Sequence, residues 1–346
     1  MRRNTGRERR PEPPSIEKVQ ALGQTDEVWG VIARRARMWR DPDDAPPYRP
    51  YMVLVGPAGS RQVLRSEIFE APPGAEDVEA TLLHAMRHPA LFTGRPRRPA
   101  IVESDDEALV AALTPRLARV GVRCRYRAAL LELDRSRADL ERGMVGAPIP
   151  GLLSVPGVTE PRARRLFALA AEYYERAPWR YLGDMLPIEI RYPPDAAPRF
   201  GVVMGAAGEV FGLSVTDTEA DLALMFARRS GPPPFARISW TVLIFEVPRA
   251  MTFDDLDDLE RYGWEVAGPE AYPMFGRTDR RGRLVPPRPD DVSWYEAALA
   301  ALVEVLPAGS ARPGRPPFDL PYERTVDVTT PAGPGRVDLR IDLRVF

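Results

Sequence analysis

Two sets of side chains in this chain have the types and spacing for chemistry. Glu103, Asp105 and Asp106 close an apolar stretch, and Asp134 and Asp139 follow on a charged segment. Carboxylates placed at strand ends can hold two metal ions about 4 Å apart over a phosphate, provided that a central carboxylate on the first strand joins them. Tyr51 to Gly56, read as that first strand, carries Tyr, Met, Val, Leu, Val and Gly and no carboxylate. A metal-dependent hydrolase or nuclease-like site on Glu103, Asp105 and Asp134, joined by His84, is therefore an alternative reading. His84 and His88, the two histidines, stand at i and i+4, which lets two imidazoles share a metal. Ala85 follows His84 where a metalloprotease motif has glutamate, so a third ligand has to come from afar, and His88 before Pro89 reads as a helix end. No metal or other cofactor is expected.

Other candidates have simpler readings. Gly205-Ala-Ala-Gly208 lacks the Lys-Ser/Thr of a phosphate loop and reads as a hairpin turn. Cys124 alternates with Arg123 and Arg125 and reads as a small core residue. As the single cysteine it excludes an intrachain disulfide and any multi-cysteine metal site. Trp179, Arg180 and Tyr181 are of the types that anchor protein contacts. Asp254, Asp255 and Asp258, with Asp257, form an acidic helix face suited to a basic partner, or simply to water.

The totals narrow the choice further. A formal net charge of -1 gives no global field for nucleic acid or an anionic membrane. Lys18 is the sole lysine among 48 basic residues, as codon bias in a GC-rich genome produces, so arginine abundance alone says little about phosphate binding. No apolar run approaches the ~20 residues of a membrane span. A cytoplasmic location is expected, with no membrane partner. The Arg-rich start, Met1 to Arg10, offers a further alternative as a nucleic-acid arm, although nucleic acid is not the expected partner.

Positioning these residues requires an α/β fold with mixed sheets. Hydrophobic periodicity predicts a helix over Val28–Trp39, strands at Tyr51–Val55 and Gln62–Phe69, and a helix at Glu76–His88. A strand at Pro99–Glu103, a helix at Asp105–Val120, a strand at Val122–Tyr126 and a helix at Leu130–Met144 follow. After a glycine- and proline-punctuated stretch the same order returns: a helix at 161–177, a hairpin over Phe200–Val215, and alternating helices and strands to Leu306. The expected division is a disordered tail 1–27, a first domain 28–145, a linker 146–160, a second domain 161–311, and a proline-rich segment with a β-hairpin over 312–346. Each domain would be a hairpin-helix-strand-helix-strand-helix unit, the second a diverged copy of the first. That order suits an RNase H-like fold made catalytically inactive by its missing carboxylate.

Several short stretches carry a resemblance. Arg49-Pro50 before an apolar strand, Arg98-Pro99-Ala-Ile-Val, Ala170-Ala-Glu-Tyr-Tyr leading to Ala177-Pro-Trp-Arg-Tyr181, and Val203-Met-Gly with Phe211-Gly-Leu resemble an uncharacterised bacterial family that pairs two adjacent domains of unknown function. The resemblance spans roughly residues 28–230 and implies no catalytic residues. The leading expectation is a non-enzymatic cytoplasmic adaptor that binds another protein.

Overall fold

The structure is a computed structural model that describes residues 12–146, 149–184, 186–227, 238, 240–279, 281–307 and 316–342. The basic arm Met1–Arg10 and residues 343–346, which the sequence assigns to the C-terminal hairpin, lie outside these residues. The chain divides into two compact units, Met1–Ala147 and Pro148–Phe346.

The first unit runs α1 (Ile16–Gln20), β1 (Val28–Arg35), β2 (Tyr51–Pro57), β3 (Arg65–Phe69), α2 (Ala75–Arg87), β4 (Ile101–Ser104), α3 (Glu107–Ala118), β5 (Arg123–Tyr126) and α4 (Leu131–Val145). Its five strands lie in the order β3-β2-β1-β4-β5. β1, β2 and β3 form an antiparallel meander, while β4 and β5 run parallel to β1. Helices therefore carry the chain across the sheet between β3 and β4 and between β4 and β5, as parallel pairing demands. Each has a defined start: the Asp77 carboxylate accepts from the Gly74 N–H at α2, and Asp106 accepts from the Leu109 N–H at α3.

Val28–Arg35 is a strand, not the helix that the spacing of Trp29, Ile32, Ala36 and Trp39 predicts. β1 is the central strand and both its faces are buried. Trp29 and Val31 pack with Val53, Leu82, Met86 and Leu117 on one side, and Ile32 packs with Leu54, Leu130 and Leu133 on the other. A strand covered on both faces loses the two-residue alternation that identifies half-buried strands. The expected disordered tail also needs correction, because α1 precedes residue 28 and Val19 is fully buried.

The second unit runs α5 (Glu160–Arg176), β6 (Ile188–Arg191), β7 (Arg199–Met204), β8 (Phe211–Thr216), α6 (Glu219–Phe226), β9 (Trp240–Glu246), α7 (Phe253–Tyr262), β10 (Tyr272–Thr278), β11 (Leu284–Val285), α8 (Pro289–Val305), β12 (Tyr322–Thr330) and β13 (Gly333–Ile341). Its eight strands follow the order β11-β10-β9-β8-β7-β6-β13-β12, and every pair is antiparallel. The two units share an order of elements but differ in how their strands pair, so their sheets are not copies of one another. The expected C-terminal hairpin is present as β12 and β13, and β13 joins the sheet beside β6. α8 is apolar nearly all round and deeply buried.

α5 ends where Ala177 turns into the left-handed region at φ 46° and Pro178 cannot continue the helix. The turn aims Trp179 at Tyr174 and Phe211, with ring centroids 5.1 and 4.9 Å away. Gly205 lies beneath it: a Cβ there would stand 2.9 Å from Trp179 Cβ. The proline-tryptophan corner and the glycine hairpin are thus one packed feature.

Candidate functional site

β1, β4 and β5 run in the same direction, so their C-terminal ends bring Arg34, Glu103, Asp105, Arg125 and Arg127 to one edge of the first unit. The β4 register places Glu103 between Gly30 and Arg125. Glu103 is 2% exposed and accepts from Arg125 Nε at 2.9 Å and from an Arg127 terminal nitrogen at 2.9 Å. Burial works to raise the pKa of this carboxyl. The hydrogen bonds and charges of Arg127 and Arg125 outweigh burial and hold it below the usual glutamate value.

Beside it, Arg34 is hydrogen-bonded to Asp105, and its Nε lies 3.7 Å from Asp134 on α4. Arg137 continues the row, 3.8 Å from Asp134 and 2.7 Å from Glu141, which also accepts from the Arg37 backbone N–H at 2.9 Å. Charges alternate as Asp105, Arg34, Asp134, Arg137 and Glu141. β1 carries no carboxylate, and Arg34, near its end, takes the space between the two aspartates. An arginine remains charged at any physiological pH, so it neutralises both without needing a metal.

The structure brings Asp105 and Asp134 to a common guanidinium and gives Glu103 to a separate arginine pair. Asp106 caps α3, and Asp139 pairs with Arg61 and Arg142. Among the described residues, no three histidine, cysteine, aspartate or glutamate side chains lie close enough together to hold a metal ion. His84 is buried and His88 exposed, with ring centroids 6.5 Å apart, and the His88 N–H donates to the His84 carbonyl at the helix end. Cys124 is half-buried against the core, and burial pushes its thiol pKa up. Sequence reasoning missed the arginines because arginine is everywhere in this chain. Their alternation with carboxylates appears only once the strands are paired.

Most of the partner-binding candidates in the second unit turn inward. Trp179 is half-buried in its aromatic cluster and Arg180 is exposed. Tyr181 is 2% exposed, and burial pushes its hydroxyl up to about 12. Asp254 accepts from the Gly151 N–H at 3.3 Å, and Asp255 accepts from the Leu152 N–H at 2.6 Å and the Thr252 hydroxyl at 2.9 Å. Burial pushes the Asp255 carboxyl up to about 6, with Asp258 and Asp254 adding to the shift. Asp258 is half-buried. Buried ion pairs that the sequence did not single out fasten α8 to its sheet and to α5: Asp291 joins Arg199 of β7 at 3.1 Å and Arg277 of β10 at 3.0 Å, and Glu296 joins Arg162 of α5 at 2.7 Å.

Among the described residues, no helix is long and apolar enough to cross a membrane. No curated protein matches the chain. Two family models match it side by side, over residues 15–141 and residues 164–314, and each lies within one of the compact units. The chain is a tandem of two adjacent domains of unknown function, DUF6930 followed by DUF7309.

Proposed function

We propose that the protein is a non-catalytic cytoplasmic binding or adaptor protein whose first unit is an RNase H-like fold with arginine where a metal centre would stand. One observation carries the reading: Arg34 bridges Asp105 and Asp134. The strand order β3-β2-β1-β4-β5, with β2 alone antiparallel to β1, β4 and β5, supports the fold assignment. A divalent cation entering this site would have to displace a tethered cation that already hydrogen-bonds the carboxylate. Glu103 is no better placed to help, since two guanidiniums hold it. The single cysteine fits a reducing cytoplasm.

The test has two arms. Calorimetric titration with Mn²⁺, and incubation with DNA and RNA in its presence, should give neither binding heat nor cleavage. Cleavage that disappears in Asp105→Asn would overturn the non-catalytic reading. Native mass spectrometry of the protein purified gently from its own host should show a stoichiometric second protein, and a bare monomer would overturn the adaptor reading.

A further inference from the structure

Between α2 and β4 the chain makes a turn whose tip, Leu91 and Phe92, is 85% and 101% exposed. Phe92 is held at φ 65°, a backbone region that bulky L residues rarely enter. The turn is nevertheless anchored on both sides. The Ala90 N–H donates to the Leu64 carbonyl at 2.8 Å, and the Thr93 N–H and hydroxyl both donate to the Ala90 carbonyl. Below it, Arg97 grips Glu27 through Nε at 2.8 Å and lies over the Trp29 ring. A well-tied turn therefore displays two large apolar side chains that contribute nothing to the core.

The segment that carries the tip has one sign of charge. From Ala80 to Val102 the sequence has no acidic residue, in a chain with 49 of them. Arg97 is used by Glu27, and Arg98 by the Leu22 and Val120 carbonyls. Arg95 is exposed and Arg87 half-buried, and among the described residues neither pairs with a carboxylate. The net charge of -1 conceals this local field.

We propose that this turn docks on an anionic lipid surface, with Phe92 and Leu91 entering between headgroups and Arg87 and Arg95 facing lipid phosphates. Convexity and area favour lipid over a protein pocket. An aromatic side chain offers roughly 150–250 Å², whereas a specific protein interface needs about 800 Å² per partner. A bilayer demands only apolar side chains that reach its acyl boundary and cations at headgroup level. The inference reaches beyond the adaptor reading and fails or stands separately from it.

The experiment is co-sedimentation of the full chain with vesicles of phosphatidylcholine and phosphatidylglycerol in equal parts, set against phosphatidylcholine alone. Binding to the anionic vesicles is expected, weakened by added salt. It should fall about tenfold in Phe92→Asp and about fivefold for each of Arg87→Ala and Arg95→Ala. Val247→Asp, which removes an exposed apolar residue of the second unit, should change nothing. Because the Phe92 side chain lies in solvent, Phe92→Asp should melt like the wild type, so its loss of binding reports the contact itself. Equal binding to both vesicle types, or binding unchanged in Phe92→Asp, overturns the proposal. No binding to either also overturns it, and returns the tip to the protein contacts of an adaptor.

Discussion

Gly30 of β1 stands directly opposite Gly56 of β2, and Leu133 of α4 fills the space that the two leave. A Cβ on Gly30 would lie 2.7 Å from one Leu133 methyl, and one on Gly56 would lie 3.0 Å from the other and 2.3 Å from the Gln62 carbonyl oxygen. The glycine pair is what allows α4 to approach the sheet closely enough to bring Asp134 to Arg34.

Gly56→Ala should therefore destabilise the first unit by about 1–3 kcal/mol through overpacking, read by urea unfolding. Gly30→Ala meets only the ends of leucine side chains, Leu133 closely and Leu130 at 3.4 Å. Its cost should shrink in a Leu133→Ala background, a coupling between touching residues that a double-mutant cycle detects. The Gly56 penalty should persist there, because it arises from backbone.

Arg34→Ala strips a counter-charge from Asp105, whose side chain is 11% exposed and whose Oδ1 has no hydrogen-bond partner among the described residues. A loss of about 1–3 kcal/mol is expected, since the carboxylate left behind is costlier than the missing bond. Adding Asp105→Asn should recover part of it. Full additivity of the two substitutions would show that the pair does not interact.

The same region shows what a single sequence can reveal. The α-helices around Leu82, Leu113 and Leu133 were legible because each has one buried face, and the β7–β8 turn because glycines must make it. β1 was not, since burial on both sides erases its period. Neither were the ion pairs: Arg34 and Asp105 lie 71 positions apart, and Arg199 and Asp291 lie 92. Pairing across such distances depends on register, which composition does not encode. Phe92 was equally silent, because exposure is a property of the folded surface.

Tyr181 separates packing from recognition. Its ring is buried and its hydroxyl has no hydrogen-bond partner among the described residues. Removing an unsatisfied buried hydroxyl lifts a desolvation penalty, so Tyr181→Phe should leave stability unchanged or raise it by about 1 kcal/mol. Trp179→Ala should cost about 3 kcal/mol, because its ring packs on Tyr174 and Phe211. A severe loss in Tyr181→Phe, read by thermal melting, would mean that the hydroxyl has a partner.

Two carboxylates should shape the acid limb of stability in opposite directions. Glu103 has a folded pKa below its ordinary 4.5, so its contribution is complete above that pH and is lost as pH falls through the folded value. The advantage of wild type over Glu103→Gln should hold from about pH 7 to about pH 4.5 and then shrink. Asp255 titrates near 6 in the folded chain against an ordinary 3.8. Between those values the native state holds a proton that the unfolded chain releases, so folding gains stability as pH falls through about 6. Wild type should therefore gain on Asp255→Asn as pH drops from about 7 to about 4. Urea unfolding of the three proteins across this range checks both signs. A wild-type gap to Asp255→Asn that stays constant would mean that water reaches the carboxyl beneath Leu152 and that the turn at Gly151 is not held by a buried group.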